Sequence, residues 1–347
     1  MNIAIVTSMV PFVFGGAELL AESLQSKLVE HGYNAQVFKI PCSYYPLENI
    51  IDGMESAKLT KLVNADLMIG LKFPAYLMPH ENKKLWLLHQ FRQAYDFGNT
   101  KQCPFTSEHL QKVKHAIIEA DNKCLKPLEG KIYTISQVVS NRLKKCNDIE
   151  STPLFPPLIN EELYFSEDTG DYIFCPSRIT DWKRQTLLVA AMRFTKSSVK
   201  LILAGKGDCS QDEEKLLYLI EKYDLKNRVT YLNRFISEKE KCDLYANCLG
   251  VAFIPFDEDY GYVTVEAFSS SKPVITCTDS GCPTHFVLDN QCGYIVQPIA
   301  HELAGAMDTL FDNKKVAAEM GHSAKLRYKE LNINWEVIIK SLSSNLP

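Results

Sequence analysis

The fold class of this chain is predicted first from residues 2–40, NIAIVTSMVPFVFGGAELLAESLQSKLVEHGYNAQVFKI. The stretch begins with a short run rich in β-branched residues at 2–7 and continues through a loop with two adjacent glycines. Apolar residues then recur at helical spacing over 17–31, and a second strand pattern follows at 34–40. A strand, a glycine loop, a helix and a strand in this order are the opening of a parallel α/β sheet.

Strand and helix patterns continue along the chain, with one interruption near residue 152. Further strands are predicted at 67–71, 85–89, 131–135, 172–175, 200–204, 229–232, 250–254, 273–277 and 293–296. Helices are predicted at 108–125, 137–145, 185–193, 212–223, 238–247 and 262–270, with a last one at 323–342. Between the two series, residues 152–165 read TPLFPPLINEELYF, which has three prolines and is typical of a linker.

The two series predict two doubly wound, Rossmann-like α/β domains, at 1–155 and 156–328. A chain of 347 residues is long enough to form two cores. Ligands of open α/β sheets bind beyond the carboxyl ends of the strands, so we expect the active site in the cleft where the two domains face each other. A cleft that closes also excludes water, which protects a transfer reaction from hydrolysis.

The amino-acid composition limits which partners and which cellular compartment we expect for this protein. Hydrophobic residues make up 46% and charged residues 23%, as in an ordinary globular protein, and the net charge of -4 gives no reason to expect nucleic acid as a partner. The 11 cysteines are scattered, and several lie in apolar runs, which is typical of free thiols in a reducing, cytoplasmic compartment. We find no signal-peptide pattern and no apolar run of the roughly 18 residues that span a bilayer. A membrane-bound substrate would therefore have to be reached from the inner membrane surface.

Polar residues follow two predicted strands of the second domain. Arg178 and Lys183 come just after the strand at 172–175, where both can point at an anionic ligand. Glu258 lies in the loop after the strand at 250–254, and Glu266 lies on the next helix, so two carboxylates can face one ligand from two sides. Taken singly, each of these residues is more often solvated surface or a local ion pair.

The start of that helix is suited to phosphate. Gly261 lets the backbone approach a ligand closely, because it has no side chain. The helix that begins at Tyr262 offers unpaired N–H groups and the positive end of its dipole. This combination favours a diphosphate group at the helix N-terminus.

Together, Arg178, Lys183 and the E-x7-E spacing of Glu258 and Glu266 resemble the signature of the family-4 retaining glycosyltransferases, which have the GT-B fold. The resemblance covers nearly the whole chain. It includes a glycine loop at 15–18 and a strand with a glycine turn at 201–208. It also includes a strand with a base-contacting loop at 229–235 and the aromatic residue of a closing helix, Trp335. In this family the closing helix, here at 329–347, packs back on the first domain.

The resemblance implies a role for each residue. Arg178 and Lys183 would bind the diphosphate and stabilise the charge that develops on the leaving nucleotide, while Glu258 would contact the hydroxyls of the donor sugar and Glu266 those of the ribose. His89, after a strand of the first domain, resembles the histidine that touches the donor sugar. The remaining donor-binding residues implied by the family are Gly16, Phe235, Ile236, Gly261, Tyr262, Val263 and Thr264, of which Val263 and Thr264 would give backbone N–H groups to the phosphates and Phe235 and Ile236 would lie near the base. Arg92, Tyr95 and Asp96 lie close enough to His89 in sequence to line the acceptor side.

The sequence departs from the family pattern at one place and suggests a metal site at another. Residues 281–285 read GCPTH, with His285 where the family has an acidic residue, which puts the donor-sugar contacts there in doubt. Residues 257–259, DED, superficially resemble a metal-binding D-x-D motif. Because positive side chains and a helix end already neutralise the diphosphate in a GT-B enzyme, we expect no metal.

The implied activity is that of a retaining, metal-independent hexosyltransferase with a UDP- or GDP-linked sugar as donor. The acceptor would be a hydroxyl of a glycan or glycolipid, in surface polysaccharide or glycolipid synthesis. A nucleotide-sugar epimerase or hydrolase of the same fold and a catalytically inactive GT-B scaffold protein remain as alternatives. A nicotinamide-dependent oxidoreductase is disfavoured, because residues 205–207, GKG, lack the third glycine of the dinucleotide fingerprint.

Overall fold

The computed structural model describes residues 1–12, 15–96 and 103–344. The chain divides into two compact units. Unit 1 consists of Met1–Pro157 together with Asn334–Pro347, and unit 2 consists of Leu158–Ile333. Unit 1 is therefore discontinuous in sequence, since the whole of unit 2 lies between its two segments.

Unit 1 contains a six-stranded sheet in the order β2-β1-β3-β4-β5-β6, and every neighbouring pair is parallel. Its strands are β1 (Asn2–Met9), β2 (Asn34–Pro41), β3 (Leu67–Gly70), β4 (Lys83–Leu87), β5 (Ile132–Thr134) and β6 (Thr152–Pro153). The helices between them are α1 (Gly16–Glu30), α2 (Asn49–Leu59), α3 (Glu108–Leu125) and α4 (Gln137–Asn147).

The first β-α-β segment shows why these residues form this layer. Ile5 of β1 is fully buried, as are Leu24 and Leu28, which lie one turn apart on the inner face of α1. Gly32 has φ of 84°, so the chain leaves α1 through a left-handed turn that glycine adopts without strain and enters β2 two residues later. Hydrophobic burial on one side of the sheet thus holds the helix that precedes the second strand.

Unit 2 contains a second all-parallel sheet, in the order β12-β11-β10-β7-β8-β9. Its strands are β7 (Tyr172–Pro176), β8 (Lys200–Ala204), β9 (Val229–Leu232), β10 (Gly250–Ala252), β11 (Val274–Cys277) and β12 (Gly293–Val296). Its helices are α5 (Gln185–Met192), α6 (Ser210–Lys222), α7 (Glu238–Asn247), α8 (Tyr262–Ser269), α9 (Pro283–Phe286), α10 (Ala300–Asp312) and α11 (Lys314–Glu330). The strand order reverses between β7 and β10, and this is the point where open α/β sheets bind ligands.

The last helix, α12 (Trp335–Ser343), belongs to unit 1. Its Trp335 ring packs edge-on against the buried Trp86 of β4, with ring centres 6.2 Å apart. The buried ammonium of Lys84 donates hydrogen bonds to the carbonyl oxygens of Ser341 and Ser344, at 3.0 and 2.5 Å. A cation at the negative end of the helix dipole stabilises α12.

The prediction of one continuous helix over 323–342 is wrong. Helix α11 ends at Glu330, Asn332 adopts a left-handed conformation with φ of 49°, and the Asn334 side chain accepts a hydrogen bond from Val337 N at 2.9 Å as the cap of α12. Asparagine is well suited to both conformations, so it separates two helices at this point. Among the helices within the described ranges, none is both long enough and apolar enough to cross a membrane.

Candidate functional site

The candidate site of unit 2 lies at the carboxyl ends of β7 and β10. Lys183, in the loop after β7, approaches Glu258, in the loop after β10, with 2.5 Å between Nζ and Oε2. Their side chains are 21% and 24% exposed, so the ion pair is partly shielded from water but open to a ligand. The Lys183 ammonium also lies 5.0 Å from the ring centre of Phe253. Adjacent parallel strands end at the same edge of a sheet, which is why residues 75 positions apart meet here.

The loop after β11 holds the backbone of Glu258 in place. Glu258 N donates to Ser280 O at 3.0 Å, and Cys282 N donates to Glu258 O at 2.9 Å. Gly281, between these two partners, has φ of 73°. A Cβ atom at Gly281 would come within 2.5 Å of Glu258 O, so only glycine permits this approach.

Arg184 connects the loops on which this geometry depends, and it was not among the residues predicted from the sequence. Its guanidinium donates to the carbonyl oxygens of Ile254 and Pro255, at 2.6 and 2.7 Å. It also forms a two-pronged ion pair with Asp279, at 2.9 and 2.7 Å. Arg184 thus joins the loop after β10 to the loop after β11 and fixes the segment that carries Glu258.

Glu266, on α8, is held by three donors that the sequence analysis missed. Its Oε1 accepts hydrogen bonds from the Tyr164 hydroxyl at 2.9 Å and the Lys241 ammonium at 3.0 Å, and its Oε2 accepts from the Tyr245 hydroxyl at 2.7 Å. Burial and the Glu266 carboxylate raise the pKa of both tyrosines, which keeps their hydroxyls protonated. A carboxylate can accept about four hydrogen bonds, so Glu266 retains capacity for a ligand hydroxyl.

Arg178 forms an ion pair that is separate from the pair of Lys183 and Glu258. Its guanidinium pairs with Asp208 at 2.8 Å, and the two side chains are 66% and 45% exposed. Such an exposed pair contributes little to stability, so the Arg178 side chain can exchange Asp208 for an anionic ligand at small cost.

The predicted base-side residues follow β9. Phe235 is 78% exposed, and the Lys206 ammonium lies 6.0 Å from its ring centre. Ile236, the next residue, is half-buried. An exposed aromatic ring of this kind is available for stacking on a flat ligand group.

The start of α8 places Gly261 beside Glu258. Gly261 has φ of 87°, and a Cβ atom there would lie 2.8 Å from the Phe253 ring. The predicted donor Thr264 already donates its N–H to Gly261 O at 3.0 Å, which corrects the expectation that this group is unpaired. The N–H groups of Tyr262 and Val263, in the first turn of α8, are of the kind that a helix leaves without an internal partner.

The segment that departs from the family pattern forms the short helix α9. His285 lies in its last turn, and its N–H donates to Cys282 O at 2.9 Å. The His285 carbonyl oxygen accepts from Arg327 at 3.5 Å. Within the described ranges, no three His, Cys, Asp or Glu side chains are grouped as a metal ion would require, and this includes the segment 257–259.

The remaining predicted residues lie in unit 1. His89 is half-buried two residues beyond β4, not at the end of the strand as predicted, and its Nδ1 lies 2.6 Å from Gln90 O. Gly16 is the exposed first residue of α1, with open space where a Cβ would lie. The preceding Gly15 N donates to Glu18 Oε2 at 3.0 Å, so Glu18 shapes this turn.

The residues predicted to line the acceptor side are tied into the same unit. Arg92 pairs with Asp96 at 2.6 Å, and Asp96 also pairs with the buried Arg142 at 3.1 Å. The Tyr95 hydroxyl donates to the buried carboxylate of Asp121 at 2.7 Å. These contacts fix the described residues 88–96 of the loop after β4, which include His89.

Comparison with known proteins finds similarity to glycosyltransferases. A family model described as "Glycosyl transferases group 1" matches residues 161–327. The chain is 30% identical over 158 residues to the α-1,3/1,6-mannosyltransferase ALG2 of Dictyostelium discoideum, covering 42% of this chain and 37% of that protein. It is 28% identical over 153 residues to a poly(ribitol-phosphate) α-N-acetylglucosaminyltransferase of Staphylococcus aureus, covering 43% and 30% of the two chains. The chain thus spans less than two fifths of the length of these curated relatives.

Solved structures match over nearly the whole chain. Sucrose-phosphate synthase from Thermosynechococcus elongatus has a TM-score of 0.75 at 19% identity, covering 97% of this chain and 96% of that one. Anabaena HepE, solved with UDP and glucose, has a TM-score of 0.72 at 19% identity, covering 99% and 100%. At this level of identity the match establishes the fold. The chain has the GT-B fold, and its residues 161–327 match the family model of the group 1 glycosyl transferases.

Proposed function

We propose that this chain is a retaining glycosyltransferase that moves a hexose from a nucleoside diphosphate sugar to an acceptor hydroxyl, in surface polysaccharide or glycolipid synthesis. The observation that carries the proposal is the ion pair of Lys183 and Glu258 where the strand order of unit 2 reverses. We assign Lys183 as the cation for a phosphate and Glu258 as the carboxylate for a sugar hydroxyl, and both lie in the segment that matches the group 1 glycosyl transferases.

The same pair supports different roles for its two residues, with Lys183 binding the phosphate and Glu258 binding the sugar. A diphosphate that binds the Lys183 ammonium would replace Glu258 as its ion-pair partner. The Glu258 carboxylate would then be available to accept hydrogen bonds from the hydroxyls of the sugar. Arg178, the N–H groups at the start of α8 and Lys183 would together stabilise the negative charge on the leaving nucleoside diphosphate. Glu266 would accept hydrogen bonds from the ribose hydroxyls, oriented by its three protein donors.

For retention we favour attack on the same face from which the nucleotide leaves. The acceptor oxygen bonds to the anomeric carbon as the bond from that carbon to the diphosphate breaks, and the leaving phosphate accepts the proton of the acceptor hydroxyl. Positive charge develops on the sugar ring in the transition state, and we assign His89 to contact with the donor sugar. A cytoplasmic enzyme that acts at the inner membrane surface would meet a lipid-linked acceptor.

The donor is proposed to be linked to UDP or GDP and to bind without a metal ion. HepE has been solved with UDP and with UDP-glucose. Among UDP, GDP, ADP and CMP, we expect UDP or GDP to raise the melting temperature of the wild type, equally with and without EDTA. At about 100 times its dissociation constant, a ligand adds about 2.7 kcal/mol to the free energy of unfolding.

Two variants sharpen this test. Glu266→Ala should abolish the stabilisation by the nucleotide, whereas Glu238→Ala, which removes an exposed partner of Lys241 at 3.1 Å, should retain it. If no nucleotide stabilises the wild type, the transferase proposal fails and a scaffold function takes precedence. Sugar release from the donor without any acceptor, at the rate of transfer, would instead indicate a hydrolase.

A further inference from the structure

Unit 1 contains a pocket at the opposite end of β4 from His89. Its volume is about 690 Å³, and Lys83, the first residue of β4, lies in its wall. His89 follows the carboxyl end of the same strand. The pocket is therefore separate from the residues proposed for sugar transfer, and it needs its own explanation.

Lys83 brings an uncompensated positive charge to this pocket. It is only 6% exposed, and its ammonium donates to Met78 O at 3.0 Å and to Cys124 Sγ at 3.2 Å. Burial raises the pKa of the Cys124 thiol, so this partner is neutral near pH 7. No carboxylate of the described chain lies within 4.0 Å of the ammonium. A buried cation without a counter-ion is costly, and an ammonium has a third N–H to donate.

Other charged groups around the pocket add to this positive potential. Lys58 and Lys123 line it, against Glu119 as the acidic lining residue. Lys58 pairs with Glu55 at 2.8 Å, whereas Lys123 has no ion pair in the part of the chain that the structure describes. The rest of the wall is mainly apolar and is formed by Leu77, Pro79, Ala116, Ala120, Pro127 and Leu128, together with His80 and Cys124.

We propose that this pocket binds an anionic amphiphile, a phosphate monoester on a single alkyl chain. The phosphate would lie between the ammonium groups of Lys83 and Lys123, and the chain would lie against the apolar wall. Two lysines suit a doubly charged phosphate, and the volume is in the range of pockets that enclose small molecules. The ligand supplies the counter-ion that the buried Lys83 lacks.

Octyl phosphate is the first ligand to test, by isothermal titration calorimetry on the full chain. We expect it to bind, and we expect 1-octanol and inorganic phosphate to bind at least about tenfold more weakly, because each lacks one half of the recognition. If either control binds as tightly as octyl phosphate, the proposal of an amphiphile is wrong.

Variants on α3 test the location without altering the buried Lys83. Ala116→Trp should fill the pocket and abolish binding, and Lys123→Gln should weaken it about tenfold. Lys112→Gln is the matched control, since Lys112 is 73% exposed on the same helix and does not line the pocket. Octyl phosphate binding to Ala116→Trp with wild-type affinity would overturn the proposal.

A sedimentation assay with vesicles distinguishes the two sources of such a ligand. Binding to vesicles of lysophosphatidic acid in phosphatidylcholine would identify a membrane lipid, provided that Ala116→Trp abolishes this binding. Binding of octyl phosphate without binding to these vesicles would identify a free amphiphile. Both results support the chemistry of the pocket and differ only in the origin of the ligand.

Discussion

At the scale of single residues, Asp121 makes unit 1 sensitive to pH. It is fully buried and accepts hydrogen bonds from the hydroxyls of Tyr76 and Tyr95, at 2.8 and 2.7 Å. Burial raises the pKa of Asp121 to about 6, although hydrogen bonds from Tyr95 and Tyr76 act in the opposite direction. The folded state therefore holds the proton more tightly than the unfolded chain. This contribution to stability is full below about pH 4 and is lost as the pH rises through about 6.

Asp121→Asn should remove this pH dependence. Between pH 4 and pH 7 the free energy of unfolding of the wild type should fall by about 2.4 kcal/mol relative to that of the variant. Urea unfolding at several pH values measures the difference. Glu119→Gln, an exposed change on the same helix, should follow the wild type. Parallel pH curves for the wild type and Asp121→Asn would show that the carboxyl titrates normally.

Individual site residues could be predicted from the sequence only where they belong to a short motif with a characteristic spacing. Lys183 and Glu258 were candidates from their motifs, and they lie in contact in the structure, although their roles remain predictions. Tyr164 was missed because it is 102 residues from the Glu266 carboxylate that it orients. Arg184 was missed because its partner Asp279 is 95 residues away, and no spacing rule relates two side chains that meet only through sheet topology.

At the scale of elements, the candidate site depends on three loops that follow β7, β10 and β11. Gly281, in the third loop, lies against the backbone of Glu258 in the second. Gly281→Ala would force a Cβ to within 2.6 Å of Glu258 N and would strain a backbone with φ of 73°. The loop that carries Glu258 would have to move.

We expect Gly281→Ala to lower kcat for sugar transfer at least tenfold, by about 1.4 kcal/mol of transition-state stabilisation, while nucleotide binding persists. Steady-state kinetics and thermal shift with the active nucleotide measure the two effects. Gly305→Ala on α10 is the matched control, because nothing lies within 4 Å of its Cβ position. It should raise stability by up to about 1 kcal/mol and leave kcat unchanged. Wild-type kcat in Gly281→Ala would contradict the role given to this loop.

Helices and strands were predictable where the hydrophobic periodicity ended at a residue that terminates a helix or strand. Parallel strands came from short apolar runs, and α1 came from leucines at helical spacing. The boundary between α11 and α12 was not predicted, because the apolar pattern continues across it and only the asparagine conformations end the helix. Helix α2 was also not predicted. It contains Gly53, where a Cβ would lie 2.8 Å from the Cys42 sulfur, so packing and not helix propensity explains this residue.

At the scale of the whole molecule, the sequence predicted two doubly wound sheets, and the structure has two six-stranded parallel sheets. The discontinuity of unit 1 was expected only from the family resemblance. No local pattern reports it, because the partners of α12 lie about 250 residues away: Lys84 and Ser341 are separated by 257 positions. Such a contact depends on the path of the whole chain.

Unit 2 has a buried core of its own, so residues 158–333 should fold alone and keep the nucleotide effect. Residues 1–157 alone should be less stable than the same segment joined by a flexible linker to residues 334–347, which restores Trp335 beside Trp86. Circular dichroism and urea unfolding of the three fragments measure this. Equal stability of the two forms of unit 1 would show that α12 contributes nothing to it.

The discontinuity of unit 1 also sets an order of events during translation. The sheet of unit 1 emerges first from the ribosome. Helix α12, which covers Trp86 and accepts the hydrogen bonds of the Lys84 ammonium, is made only after all of unit 2. Unit 2 can complete its fold on the nascent chain, while the earlier unit waits with an uncovered apolar surface. Translation errors that shorten the carboxyl end would therefore damage the half of the protein that was made first.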